Sequence, residues 1–160
     1  MTVKTFFDKL DPTWVAALEL SLVGGSEFPW QYQPVEASQP WGQFTHTLYQ
    51  RNEPSSPFIE MLQPVIELIN PLAVNTAWVE LFTNTTEYPQ PRGWTVDHED
   101  SRLSTALYCV NTTDAFWEFK DGTRVDSKAG TMITYPSSLE NQLWTSINCP
   151  ASVYIKLIHL

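Results

Sequence analysis

Residues 104–127 read STALYCVNTTDAFWEFKDGTRVDS: three short runs rich in β-branched and aromatic residues, separated by turn chemistry. Asp121-Gly122 lies between FWEFK and TRVDS, and an Asp-Gly pair supplies the positive φ angles that a tight hairpin needs. Outward from it the pattern repeats. AVNTAWVELFTN (73–84), WTVDH (94–98), GTMITYPS (130–137), NQLWTSI (141–147) and SVYIKLIHL (152–160) all read as strands, as does QFTHTLYQ (43–50). Many short strands without intervening long helices predict a mostly β, α+β sandwich or jelly roll rather than a βαβ sheet.

Two stretches read as helix. Asp11-Pro12 marks the start of a short helix in DPTWVAALELSL. In SSPFIEMLQPVIELINPL, Phe58, Met61, Leu62, Val65, Ile66 and Ile69 recur at helical spacing. Pro57 stands in its first turn, Pro64 predicts a kink, and Asn70-Pro71 ends it. These predict one or two helices backing the sheets. GGSEFPWQYQPVEASQPWG (24–42) is too rich in Pro, Gly and aromatics to be regular, and is expected to be a loop pinned by Trp30, Tyr32 and Trp41.

At 160 residues a single domain spanning 1–160 is expected, with enough chain to bury one core. An apolar fraction of 42% and seven Trp argue against disorder. The net charge of −9 argues against nucleic-acid binding, and only 17% of residues are charged, too few for a carboxylate array that mimics DNA. Cys109 and Cys149 are too few for a disulfide framework and form no C-x-x-C pair. No leader opens the chain and no apolar run approaches the roughly 18 residues of a membrane span, so no membrane partner is expected.

Chemistry is sparse. His98-Glu99-Asp100 has the H-x-D spacing of a non-haem iron site, and His159 could supply a second imidazole. HEDSR is polar throughout, however, which suits a solvated turn before LSTALYCV. His46, alone within FTHTLY, reads as a hydrogen-bonded structural histidine. There is no G-x-S-x-G elbow, Walker loop or G-x-G-x-x-G.

Three segments together carry a more specific signal: FPWQYQP (28–34), QFTHTLYQRNEPSSPFIEMLQPVIELINP (43–71) and residues 93–147. In this order they resemble the small 2-oxoglutarate/Fe(II) oxygenase-like proteins of bacteriophages, frequent in phages of marine cyanobacteria. The resemblance implies a double-stranded β-helix, or jelly roll. The family pattern is H-x-D on one strand, a second His after an F-P-S turn, and an Arg at the start of the last strand. TALYCVN fixes the register, and counting back from Thr105 places the triplet at Thr95-Val96-Asp97, so Thr95 stands where the first His belongs. YPSSLEN puts Asn141 in place of the distal His, and Ser152, give or take a residue, in place of the Arg. Tyr108 falls where relatives approach the co-substrate.

The former metal positions are therefore Thr95, Asp97 and Asn141, and the former 2-oxoglutarate positions Tyr108 and Ser152. The resemblance so adjusted implies a non-catalytic protein with no cofactor, acting as a binding or structural component in the virion or the infected cell's cytoplasm. A phage or host protein is its expected partner, and self-association is possible through edge strands. Two alternatives stand beside it: an active Fe(II)/2-oxoglutarate hydroxylase with a shifted triad of His98, Asp100 and His159, and a small-ligand binder using the former pocket.

Overall fold

The computed structural model describes residues 2–34, 36 and 38–160. Eleven strands occur in it: β1 (Lys4–Phe6), β2 (Gln31–Gln33), β3 (Trp41–Gln50), β4 (Glu53–Pro54), β5 (Val74–Asn84), β6 (Ser104–Cys109), β7 (Phe116–Phe119), β8 (Arg124–Asp126), β9 (Met132–Pro136), β10 (Asn141–Trp144) and β11 (Ser152–His159). The helices are α1 (Pro12–Glu19), which runs on as a π turn over Leu20–Gly24, and α2 (Gln63–Ile69), preceded by a 3-10 turn over Pro57–Leu62.

Local chemistry accounts for these boundaries. Asp11 caps α1, its Oδ1 accepting from the N–H groups of Thr13 (2.8 Å) and Trp14 (3.2 Å), with Pro12 in the first turn where no donor is lost. The expected single helix over 56–69 is instead a 3-10 turn followed by α2. Pro64 has no N–H to give the carbonyl four residues back and its ring clashes there, so the helix restarts with Pro64 in its own first turn. Asn70 ends α2 in the left-handed conformation, φ 49°. The Asp121-Gly122 hairpin joins β7 to β8, with Gly122 at φ +89°. The stretch expected to be an irregular loop contains edge strand β2, paired with β3, and Tyr32 within it is 57% exposed rather than an anchor.

All pairings are antiparallel. The larger sheet runs β1-β9-β6-β11-β5-β3-β2, with β4 on β3, and the smaller runs β10-β7-β8. Residues 91–97 lie along β10 without becoming a regular strand, bridging at Pro91–Trp144 and Thr95–Asn141. From β5 onward the chain thus alternates: large sheet, 91–97 beside the small sheet, β6 in the large, β7-β8 in the small, β9 large, β10 small, β11 large. That alternation winds a double-stranded β-helix.

Two apolar cores follow from the period-two alternation of the strands. Along β11, Val153, Ile155 and Leu157 face the helices with Leu18, Leu22, Leu62 and Val65. Tyr154 turns the other way, between the sheets, with Trp117, Phe119, Leu143 and Tyr135. Lys156 shares the inward parity of Tyr154.

Candidate functional site

The inner face of the sandwich carries one fully buried charged pair. Two backbone bonds fix Asp97, whose N–H and that of His98 both donate to the carbonyl of Ser137 (3.0 and 3.1 Å). Its carboxylate then points inward. Lys156 Nζ donates to Oδ1 at 2.6 Å and the Tyr135 hydroxyl donates to Oδ2 at 2.6 Å. The side chains of Lys156 and Asp97 are 2% and 5% exposed. Burial alone pushes the Asp97 carboxyl up. The charge and hydrogen bond of Lys156, with bonds from Tyr135 and Thr105, outweigh this and hold it below the ordinary aspartate value. Tyr135 is driven the other way, well above an ordinary phenol, by burial and by the carboxylate it serves. The Lys156 ammonium also sits 4.6 Å from the Trp117 ring centroid.

Thr95 and Asn141 face each other across the bridge to β10, each N–H donating to the other's carbonyl (2.9 and 2.8 Å). Antiparallel pairing puts their side chains on one face, the face Asp97 shares two residues on from Thr95. Asn141 is buried. Its Nδ2 donates to the Leu139 carbonyl at 3.2 Å, and its Oδ1 has no hydrogen-bond partner among the described residues.

These three positions do not fit a ferrous ion. They present a hydroxyl, a neutral amide and a carboxylate whose two oxygens are already bonded at 2.6 Å, and no imidazole.

The shifted set is not assembled either. His98 Nδ1 accepts from the Asp100 N–H at 3.0 Å within a turn, and Asp100 is held by Arg102 at 2.7 Å, which lowers its carboxyl to about 2. His159, opposite Ser104 on β11, lines a cleft with Phe6, Ile69 and Met132 on the helix side of the large sheet. Among the described residues no three of His, Cys, Asp and Glu are grouped to hold a metal.

Two placements correct the sequence reading. Tyr108 faces the helices, its ring 5.5 Å from Trp14, because β6 turns Leu107 and Cys109 inward and Tyr108 outward. It therefore cannot approach anything bound between the sheets. Ser152 does face inward, but at the far end of β11, where its hydroxyl bonds Thr113 at 3.0 Å. It lies four residues, or roughly 13 Å, from Lys156. The inward cation of the last strand is Lys156, and it is committed to Asp97. His46 is structural, as read: its ring nitrogens lie 3.0 Å from the Pro29 carbonyl and 2.8 Å from the Ser56 hydroxyl.

Sequence reasoning passed over Lys156, although a lysine at inward parity within SVYIKLI is a visible signal of a buried pair. It also passed over Glu80 on β5, buried, which accepts from the indole N–H of Trp78 and lies 3.6 Å from Arg92.

No model of a known protein family matches the chain, and no curated protein matches it. Solved structures do. The non-heme alpha ketoglutarate dependent epimerase SnoN from nogalamycin biosynthesis aligns over 99% of this chain and 77% of its own, at 14% identity and a TM-score of 0.70. AviO1 from Streptomyces viridochromogenes Tue57 aligns over 99% and 89%, at 12% identity and a TM-score of 0.63. A prolyl-4-hydroxylase of Pseudomonas putida aligns over 98% and 91%, at 11% identity and a TM-score of 0.56. The fold is shared with these solved structures, and with one from the 2OG-Fe(II) oxygenase family: a mostly β, antiparallel double-stranded β-helix with two short helices.

Proposed function

We propose that this chain is an oxygenase-fold protein that does no iron chemistry and acts by binding. The observation that carries the reading is the Lys156–Asp97–Tyr135 cluster. An ammonium stands 2.6 Å from the one carboxylate left at the former metal positions and supplies the positive charge a metal would have brought. Thr95 and Asn141 add no ligand able to compete with it. Fold by itself does not carry an activity, and here the chemistry of the site argues against inheriting one.

In the phage setting implied by the resemblance, the protein is a binding or structural component of the virion or the infected cell, and its partner is a phage or host component. The direct test is anaerobic reconstitution with Fe(II) and 2-oxoglutarate, reading bound iron and succinate. The reading expects neither above background. Stoichiometric iron with succinate release would sink it.

A further inference from the structure

Leu18 and Leu22 turn one face of α1 and its π turn into the core. The opposite face is not the polar one that contact with water favours. Ala16, Leu20 and Val23 follow one another along it at helical spacing, and Leu20 is 71% and Val23 39% exposed. Both of these larger side chains stand on the π turn, a conformation that is rare in helices and concentrated at functional sites.

Three grooves adjoin along this face. The first is lined by residues that include Asp8, Leu10, Val15, Ala16 and Glu19. The second shares Ala16 and Glu19 and adds Leu20 and Val23. The third shares Leu20 and lies between the π turn and the 3-10 turn, where Glu27, Phe28, Phe58 and Met61 help to line a volume of 360 Å³. The shared residues make one continuous trough, roughly 17 Å long over Pro12–Val23 alone. No Lys or Arg lines it, and none of the ion pairs found among the described residues takes up Asp8, Glu19 or Glu27.

We infer that this trough docks a basic amphipathic helix of a partner protein. This rests on the binding reading above and names its surface and the partner's chemistry. Apolar side chains at i, i+4 and i+7 of such a helix match the spacing of Ala16, Leu20 and Val23 and fill the grooves beside them. Lys or Arg flanking that apolar stripe would meet Asp8, Glu19 and Glu27, which carry one sign of charge and have no cation of their own in the trough. The same carboxylates decide against other occupants. A second copy on a two-fold axis would set one acidic trough against another, and the net charge of −9 adds to that repulsion. An acidic segment or an anionic membrane surface is repelled in the same way.

The test is fluorescence anisotropy with labelled helix-forming peptides of about 14 residues, which span roughly 21 Å. One series carries Leu, Phe or Trp along one face and Lys on the other, and matched series replace Lys by Glu or by Gln. At least one Lys peptide should bind saturably, with affinity falling as salt rises, and its Glu counterpart should not bind. Leu20→Ser should weaken binding about tenfold or more without moving the urea midpoint, since the side chain is exposed. Glu19→Gln combined with Glu27→Gln should weaken binding and flatten its salt dependence. Leu72→Ser and Glu87→Gln, exposed and outside the trough, should change it less than about twofold. Any of three results overturns the inference: no Lys peptide binds, the Glu or Gln series binds as tightly, or Leu20→Ser binds as well as the wild type. It also falls if the protein alone sediments as a dimer that Leu20→Ser dissociates, because the occupant is then a second copy. The iron and succinate assay on the same preparation separates the two claims. Absent peptide binding with absent turnover removes this surface alone, whereas turnover removes the binding reading beneath it.

Discussion

Lys156 Nζ lies 2.6 Å from Asp97 Oδ1, with both side chains buried. The two residues come from opposite layers: Lys156 from the middle of the large sheet and Asp97 from the segment lining the small one. The pair therefore ties the two layers of the sandwich across its inner face. Desolvating two charges is expensive, and the arrangement persists because Tyr135 satisfies the second carboxylate oxygen and the Trp117 face lies beside the ammonium.

Removing one partner should cost far more than removing both. Lys156→Met leaves a buried carboxylate with only the hydroxyls of Tyr135 and Thr105 and no charge to offset it, and is expected to destabilise by about 3–5 kcal/mol. Lys156→Met combined with Asp97→Leu removes the orphaned charge and should recover most of that loss. Urea unfolding of the four members of this cycle reads the coupling directly. Near-additive losses would show that the pair is not acting as a unit.

The same pair governs whether a metal site can be rebuilt. Thr95→His with Asn141→His places two imidazoles across one antiparallel bridge, on the face that Asp97 shares. While Lys156 holds Asp97, that double variant has two ligands only and should bind Co(II) weakly. Adding Lys156→Ala frees the carboxylate and should tighten Co(II) binding roughly tenfold or more, followed by the visible absorption of the bound ion. Equal affinity with and without Lys156→Ala would mean that the ammonium is not what occupies Asp97.

Much of this arrangement could be read from residue order, because the deciding signals were local. Asp11-Pro12 caps a helix and Asp121-Gly122 turns a hairpin, whereas the assignment of Thr95 and Asp97 rests on the family resemblance and not on a local signal. Residue order says less where parity or long-range pairing decides. The resemblance sets Tyr108 at a co-substrate position, but one residue of parity turns it to the other face of the sheet, against Trp14. Strand β2 is three residues flanked by Pro29 and Pro34, and only pairing with β3 makes it a strand. Glu80 and Arg92 are twelve residues apart in sequence, and nothing local announces that they meet.

Acid should weaken the protein partly through Asp97. Its folded carboxyl ionises below the ordinary 3.8, so the folded state releases this proton more readily than the unfolded chain. The stabilisation is complete above about pH 4 and is lost as pH falls through the lower folded value. His159 acts at milder pH: burial lowers its imidazole below 6.5, so protonation disfavours the folded state and stability declines as pH drops below that value. Urea midpoints should fall between pH 7.5 and pH 5 in the wild type, and fall less in His159→Phe. Below pH 4 the slope should flatten in Asp97→Asn. Unchanged slopes in these variants would assign the acid sensitivity to other groups.

The two cysteines should differ sharply in reactivity. Both are free; Cys109 lies fully buried between the sheets, where burial pushes its thiol up to about 12, and Cys149 is partly exposed in the loop before β11. The thiolate is the reactive form, so at pH 8 Cys109 has almost none and no path to reagent. Treatment of the native protein with a thiol-reactive dye should modify Cys149 alone, with Cys109 following only on unfolding, at a rate that tracks stability. Lys156→Met should therefore speed the labelling of Cys109, since losing the tie between the layers raises the open population. Native labelling of both thiols at one rate would contradict a closed interior.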